Sequence, residues 1–286
     1  MLTVLVTGKG GQLAQCIENI APKYQDLKFI FKSSSELDIT NYDNINSIFN
    51  SSEPFEYCIN CAAYTAVDKA ETETQDAYDI NVLGSKNLAE ACGKHDITLV
   101  HISTDFVFDG NALQPYNEDS ITNPLGVYGD TKLKGENAIA EILENYFILR
   151  TSWLYSEYGN NFLKTILRLA RERDEIGVVD DQIGSPTYAK DLAEVVLQLI
   201  GSRNTSYGVY NYCNEGVVSW YTFASEIFRL SKSSINLNAI KTKDYPTPAL
   251  RPKYSVLNTA KLENALGIKI PNWKASLASA YSNLEN

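Results

Sequence analysis

The apolar positions of the chain fall into two alternating rhythms. Short runs rich in β-branched and aromatic residues occur at LTVLVT (2–7), KFIF (28–31), YCINCA (57–62), TLVHIS (98–103) and YFILRTS (146–152). They are mostly continuous rather than alternating, as in strands buried on both faces of a parallel sheet. Between them apolar residues recur at three- and four-residue intervals, most plainly in QDAYDINVLGSKNLAEACGKH (75–95), the period of a helix with one buried face. Strand–helix alternation over 150 residues predicts an α/β fold, a doubly wound parallel sheet covered on both sides. Beyond residue 150 the rhythm loosens. NNFLKTILRLARER (160–173) and SWYTFASEIFRL (219–230) predict helices, SPTYAKDLAEVVLQLI (185–200) a helix started by Pro186 and Thr187, and GVYNYCN (208–214) a short strand. The expected organisation is a first domain over 1–150 and a smaller C-terminal α/β lobe over 151–286, with elements of about 187–215 returning to the first sheet.

Composition narrows the partners. No apolar run approaches the roughly 18 residues of a membrane span. The first strand lacks a basic start and a cleavage site, so the cytoplasm is the expected compartment. The net charge of −10 argues against a nucleic-acid surface but not against an anionic small molecule met by locally concentrated basic groups. Five cysteines, an odd number, do not read as a disulfide framework. Cys58 and Cys61 form a C-x-x-C, but on a strand residues i and i+3 point to opposite faces, so both read as core packing. The two histidines, His95 and His101, have no metal-ligand spacing; His101 reads as a strand residue and no metal site is expected.

The segment VTGKGGQLA follows the first predicted strand directly and opens a helix. Gly8 and Gly11 fit a G-x-x-G turn, with Ala14 at the third, packing position. Such a turn lets backbone approach a pyrophosphate and aims helix N-terminal N–H groups at it. Its place at the start of the βαβ series predicts a Rossmann-type fold whose first domain binds a dinucleotide, leaving the C-terminal lobe for the substrate. An NAD-selective site carries an acidic residue after the second strand. Here Lys32, Ser33 and Ser34 follow FIF, so with no carboxylate to repel a 2′-phosphate NADPH is expected, with NADH also accepted. Asp38 and Ile39 in ELDITN, and Ala63, Tyr64 and Thr65 in CAAYT, are further candidates to line the cofactor groove.

YGDTKLKGE places Tyr128 and Lys132 one turn apart on a helix face. Beside a nicotinamide this pair acquires a task, because reducing a ketone requires a proton for the developing alkoxide. A phenol with a pKa of about 10 is a sluggish donor. A lysine ammonium about 5 Å away, at an effective dielectric near 20, would favour phenolate by roughly 3 kcal/mol, or about two pKa units. The expectation is an acidified Tyr128, with Lys132 also contacting the nicotinamide ribose. HISTDFVFDG puts Ser103, Thr104 and Asp105 at a strand's C-terminal end, where open α/β sheets bind ligands. Thr104 is preferred to Ser103 as the hydroxyl that holds the carbonyl.

These segments, with CAAYTAVDKAE, RTSWLY, DDQIGSPTYAKDLA, NEGVVSWYTFA and LRPKYSVLNTAKL, resemble in consistent order the dTDP-4-dehydrorhamnose reductase family of extended short-chain dehydrogenase/reductases. The match runs from residue 1 to about 275; the tryptophan, D-Q-x-G-x-P-T and R-P-x-x-S-x-L segments are more specific than the tyrosine–lysine pair, which the whole superfamily shares. The resemblance implies NAD(P)H-dependent reduction of the 4-keto group of dTDP-4-dehydro-β-L-rhamnose to dTDP-β-L-rhamnose. It implies Tyr128 as proton donor, Lys132 as its electrostatic partner and cofactor contact, and Thr104 and Asp105 as substrate contacts. Gly11, Gln12 and Leu13 would fall at the pyrophosphate, Trp153 beside the sugar, and Arg251 against the substrate diphosphate. Some members join dimers through glutamate-bound magnesium; the corresponding positions are Cys16 and Lys190, so a homodimer of that type is not expected. A reductase of another dTDP-4-keto-6-deoxyhexose would keep the same catalytic residues. A non-catalytic NADP-binding subunit, resembling the regulatory subunit of methionine adenosyltransferase, would have no need of them. Asp105 is followed by Phe106 and no glutamate, unlike sugar-nucleotide dehydratases.

Overall fold

The structure, a computed structural model, describes residues 1–50 and 54–285; residues 51–53 and Asn286, which the expected domains include, lie outside the described residues. The chain begins with β1 (Leu2–Thr7), α1 (Gln12–Ile20), β2 (Leu27–Lys32), α2 (Tyr42–Phe49) and β3 (Tyr57–Asn60). Helices α3 (Val67–Ala70), α4 (Thr74–Tyr78) and α5 (Gly84–His95) precede β4 (Thr98–Thr104), and α6 (Val127–Ile142) leads to β5 (Tyr146–Thr151). Then follow β6 (Leu154–Tyr155), α7 (Phe162–Glu172), β7 (Glu175–Val179), β8 (Ile183–Gly184), β9 (Thr187–Tyr188) and α8 (Ala189–Gly201). The chain closes with β10 (Gly208–Tyr212), β11 (Val218–Ser219), α9 (Trp220–Ser231), β12 (Asn236–Ile240), α10 (Ala260–Leu266) and α11 (Trp273–Glu285).

Six strands form one parallel sheet in the order β10-β5-β4-β3-β1-β2. The direction of winding reverses between β1 and β3, so the C-terminal ends of these two strands flank a crevice, the place where open α/β sheets take ligands. Strand alternation divides the core. Val4, Val6, Ile59, Val100 and Phe147 pack on α1 and α8, while Leu5, Cys58, Leu99 and Ile148 pack on α2, α5 and α6. Each large aliphatic side chain buried this way contributes about 1.5–3 kcal/mol, which is why the strand runs are continuous. Cys58 lies in one layer and Cys61 against the other, and all five cysteines are free, in keeping with the core-packing reading. A third cluster, including Tyr155, Leu163, Phe223 and Trp273, joins α7, α9 and α11. Gln12 ties this body to the sheet, its Oε1 accepting from Ser156 Oγ and Asn161 Nδ2, each at 2.9 Å.

Two predicted elements differ in detail. The helix expected over 75–95 is interrupted by a turn of π-helix at Asp79–Leu83, whose extra residue turns Asn81 inward. The helix expected from 185 begins only at Ala189, because Thr187 and Tyr188 pair as a strand with β6. Among the described residues no helix is long and apolar enough to cross a membrane.

Candidate active site

Gly8 leaves β1 in the left-handed region, at φ +71°. A Cβ there would lie 2.8 Å from Ala62 N and from the Cys61 carbonyl carbon, so only glycine lets the turn touch the chain leaving β3. A Cβ on Gly11 would meet only Gly8 O, at 3.1 Å. No side chain caps α1, so its first-turn N–H groups, those of Gln12 and Leu13 among them, are open to an anion. A tight glycine cradle and an uncapped helix N-terminus at the switch point of the sheet suit a dinucleotide pyrophosphate. Leu13 itself is buried, and can contribute only backbone.

At the end of β2 the expectation of a site without a carboxylate is corrected. Glu36, two residues past Ser34, folds back to accept from Ser33 N at 2.9 Å and Ser33 Oγ at 2.7 Å. These hydrogen bonds, assisted by Lys32 and Lys9, hold its carboxyl below the usual range. Lys32 therefore shares the strand end with a negative charge. Asp38 is turned to its own loop, accepting from Thr40 N at 2.9 Å and Thr40 Oγ1 at 2.8 Å. Ile39 packs into the core against Gly84 rather than offering its side chain to a groove.

Ala63, Tyr64 and Thr65 leave β3 under the control of Asn81. Its Oδ1 accepts from Tyr64 N at 2.9 Å, and its Nδ2 donates to Tyr64 O and to Thr131 Oγ1, each at 3.1 Å. One buried amide thus clamps this loop to α6. The only sign in the sequence is a polar residue interrupting an apolar stripe.

Helix α6 carries Tyr128 and Lys132 and is held at several points. Glu71 accepts from Val127 N at 2.9 Å, placing a carboxylate at the helix N-terminus. Gly129 lets the helix press on Phe106 O. Farther along, Glu136 forms a forked pair with Arg150 of β5, Nη2 to Oε2 at 2.7 Å, both side chains about 5% exposed or less. Ser103 Oγ also donates to Glu136. That turns the Ser103 hydroxyl away from Tyr128, whereas Thr104 acts on its phenol. Thr104 Oγ1 also donates to Asp105 Oδ1 at 3.0 Å.

The expected acidification of Tyr128 by Lys132 is not found. Burial pushes the phenol up to about 12, opposed by the Thr104 hydrogen bond. Lys132 is turned to β4, where Nζ donates to Ile102 O at 2.6 Å and lies 3.1 Å from His101 Nε2. A backbone carbonyl in the interior is a strong acceptor, and it holds the amine there rather than at the phenol. Burial brings Lys132 down to about 8, with Glu136 opposing. His101 reads from the sequence as a plain strand residue, yet it is the group in contact with this lysine.

Just past β4, Asp105 is 2% exposed, with Oδ2 lacking a partner, and burial raises its carboxyl to about 6 against hydrogen bonds from Ser255 and Thr104. Trp153 holds φ at +47°, a strained conformation for a tryptophan, and stacks on Trp220 with ring centroids 3.6 Å apart. Arg251 reaches from the C-terminal segment to Asp68 of α3, Nη2 to Oδ2 at 2.7 Å. Its guanidinium lies over the Phe106 ring at 5.8 Å, and its Nη1 is buried without a partner. Phe106 in turn meets Tyr128 edge-on at 5.5 Å, so Arg251 stands one ring away from the phenol.

The sequence pattern of the RmlD substrate binding domain family matches residues 2–286. The chain is 44% identical to a dTDP-4-dehydrorhamnose reductase of Aggregatibacter actinomycetemcomitans, over 97% of each chain. Among solved structures it is similar to a dTDP-4-dehydrorhamnose reductase of Clostridium acetobutylicum, with TM-score 0.95 and 44% identity over the whole of both chains. It is also similar to the Bacillus anthracis dTDP-4-dehydrorhamnose reductase in complex with NADP, with TM-score 0.94 and 39% identity over 99% of this chain and all of that one.

Proposed function

We infer that this chain, which belongs to the RmlD substrate binding domain family, reduces the 4-keto group of dTDP-4-dehydro-β-L-rhamnose to give dTDP-β-L-rhamnose, using NADPH and also accepting NADH. The observation that carries the reading is the seat of Tyr128 at the end of β4, its ring edge-on to Phe106 two residues past Thr104, on a sheet whose glycine turn suits a pyrophosphate.

Residues 1–150 with 187–215 form the cofactor side and the remainder the substrate side. Gly8, Gly11 and the N–H groups of Gln12 and Leu13 would hold the pyrophosphate. Lys32 and Asp38 would lie toward the adenosine ribose, with backbone of Ile39 alone available beside them. Ala63, Tyr64 and Thr65 would line the groove, and Lys132 would meet the nicotinamide ribose. The bound dihydronicotinamide supplies the hydride. The protein supplies the proton. Tyr128 gives up its phenolic hydrogen to the oxygen of the reduced carbonyl, which as an alkoxide is more basic than phenolate. Thr104 steadies that oxygen and then the phenolate, and Lys132 adds positive charge when it turns from Ile102 O toward the phenol. Asp105 Oδ2, an acceptor without a protein partner, takes a sugar hydroxyl. Trp153 gives the sugar a flat wall, and Arg251 Nη1 faces the diphosphate.

On this reading the enzyme's compartment is the cytoplasm. A magnesium-bridged homodimer of the glutamate type is not part of this reading, since Cys16 is buried in the core and Lys190 is no anionic ligand. The test is a spectrophotometric assay of NADPH and NADH oxidation with enzymatically made dTDP-4-dehydro-L-rhamnose. Turnover supports the reading. Turnover only with another dTDP-4-keto-6-deoxyhexose reassigns the substrate, and cofactor binding without any turnover makes the chain a binding subunit.

A further inference from the structure

His101 is a buried histidine, 1% exposed, that the mechanism above does not use. Its two ring nitrogens join a chain of hydrogen bonds running from the end of β1 to the lysine of α6. Thr7 Oγ1 donates to Asn60 Oδ1 at 2.7 Å, Asn60 Nδ2 lies 3.1 Å from His101 Nδ1, and His101 Nε2 lies 3.1 Å from Lys132 Nζ. The direction of the chain is fixed by a group that cannot rotate. The peptide N–H of Ala62 donates to Asn60 Oδ1 at 3.1 Å, so the amide oxygen must face Ala62 and Thr7 and the amide nitrogen must face the imidazole. Nδ1 is then an acceptor, and the hydrogen of the neutral ring lies on Nε2. That hydrogen points at Lys132 Nζ. An ammonium has no lone pair to receive it, whereas a neutral amine does, and the amine still donates to Ile102 O at 2.6 Å.

We propose that His101 is a positioning residue: through the Thr7–Asn60–His101 chain it presents an Nε2–H to Lys132, holding Nζ in place and favouring its uncharged form until the lysine leaves β4. The proposal rests on the catalytic reading of Lys132 and adds what sets the proton affinity of that group. Burial pulls both groups the same way, toward neutral His101 and a weakly basic Lys132. Of the charged and titratable groups on the surrounding elements, Glu136 on α6, paired with Arg150 on β5, acts on Lys132, and Lys132 on His101; Glu71 meets the N-terminus of α6, and Asp105 after β4 acts on Tyr128. Of these Glu136 opposes the effect, as a carboxylate must, and its pairing with Arg150 blunts it.

The experiment is nitrogen NMR of the histidine rings in the full chain without dinucleotide, which separates this proposal from the reductase assay. Only two histidines are present, so the His101→Phe variant assigns both sets of signals. The expected result is a neutral Nε2–H tautomer for His101 across pH 5 to 9. An Nδ1–H tautomer, or a ring that titrates near its ordinary pKa of about 6.5, overturns the proposal. In the second arm the Lys132 side-chain carbon next to Nζ is titrated by NMR. His101→Phe should move its midpoint up by roughly one pH unit, because desolvation stays while the opposing N–H is gone. His101→Gln, which can still donate an N–H, should restore part of the shift. An unchanged midpoint in folded His101→Phe also overturns the proposal, and if that variant does not fold the tautomer of the unaltered protein decides alone.

Discussion

Asp105 offers a measurement in which the cost of the site appears as stability. Its carboxyl is buried, one oxygen has no partner, and its pKa rises from the ordinary 3.8 to about 6. Between these values the folded protein holds the proton more tightly than the unfolded chain does. The native state therefore binds more protons than the unfolded state, and stability falls as pH rises through that window. A shift of about two units corresponds to roughly 3 kcal/mol, fully lost above pH 6 or so. Asp105→Asn has no charge to bury and keeps an oxygen for Thr104 and Ser255. Its amide nitrogen would stand where Oδ2 lacks a partner, which costs about 1 kcal/mol and leaves a net gain near 2 kcal/mol at neutral pH. In a chain of this length that is a rise in Tm of about 4 °C. The assay is thermal melting of both proteins from pH 4 to pH 8. The variant's advantage should be absent or reversed near pH 4, grow to pH 6, and stay level above. All other carboxylates are common to both proteins and cancel in the difference. A Tm difference that does not change with pH, or a variant less stable at pH 7.5, would refute the reasoning.

Other expectations follow from the same geometry. Tyr128→Phe removes the proposed proton donor, so kcat should fall by about 10²–10⁴ while the Kd for NADPH, measured by fluorescence titration, stays within about twofold. Glu136→Gln leaves Arg150 buried without its carboxylate and should destabilise the protein by about 3–5 kcal/mol in urea unfolding, whereas replacing Glu136 by Leu together with Arg150 by Met recovers most of the loss. Glu36→Gln removes the carboxylate beside Lys32 and should shift the ratio of Kd values toward NADPH over NADH by about two- to fivefold at low salt, an effect that shrinks at high salt. An unchanged ratio would take Glu36 out of cofactor discrimination.

The parts of the molecule set by local pattern were legible from the sequence. The continuous strand runs, the glycine turn after β1 and the one-turn spacing of Tyr128 and Lys132 each follow from periods or backbone needs confined to a few residues. What escaped depends on contacts between distant segments. Glu71 lies 56 residues before the helix end it caps, and Asp68 lies 183 residues before its partner Arg251. No spacing rule reaches across such intervals. The acidification expected for Tyr128 failed because it placed two side chains in a uniform dielectric. It omitted the Ile102 carbonyl that draws Lys132 away, and the burial that raises the phenol. Glu36 is hidden from the pattern for a smaller reason: the loop after β2 folds back on itself, so a residue four places beyond the strand returns to its end. Asn81 left a trace, as a polar residue within an apolar stripe, but without the π-turn that trace points at nothing.

The pairing of β10 with β5 bears on how the chain is made. The fifth strand emerges from the ribosome with one edge bare, and its partner is not synthesised until residue 212. During that interval the nascent protein exposes a ready-made seam for wrong neighbours. A fragment cut at residue 150 carries the same open seam permanently and also lacks the α8 covering of α1, so it should aggregate where the complete polypeptide stays dispersed. The stretch up to β5 is therefore no detachable module, and transplanting it into a chimera requires bringing the later strand and helix with it.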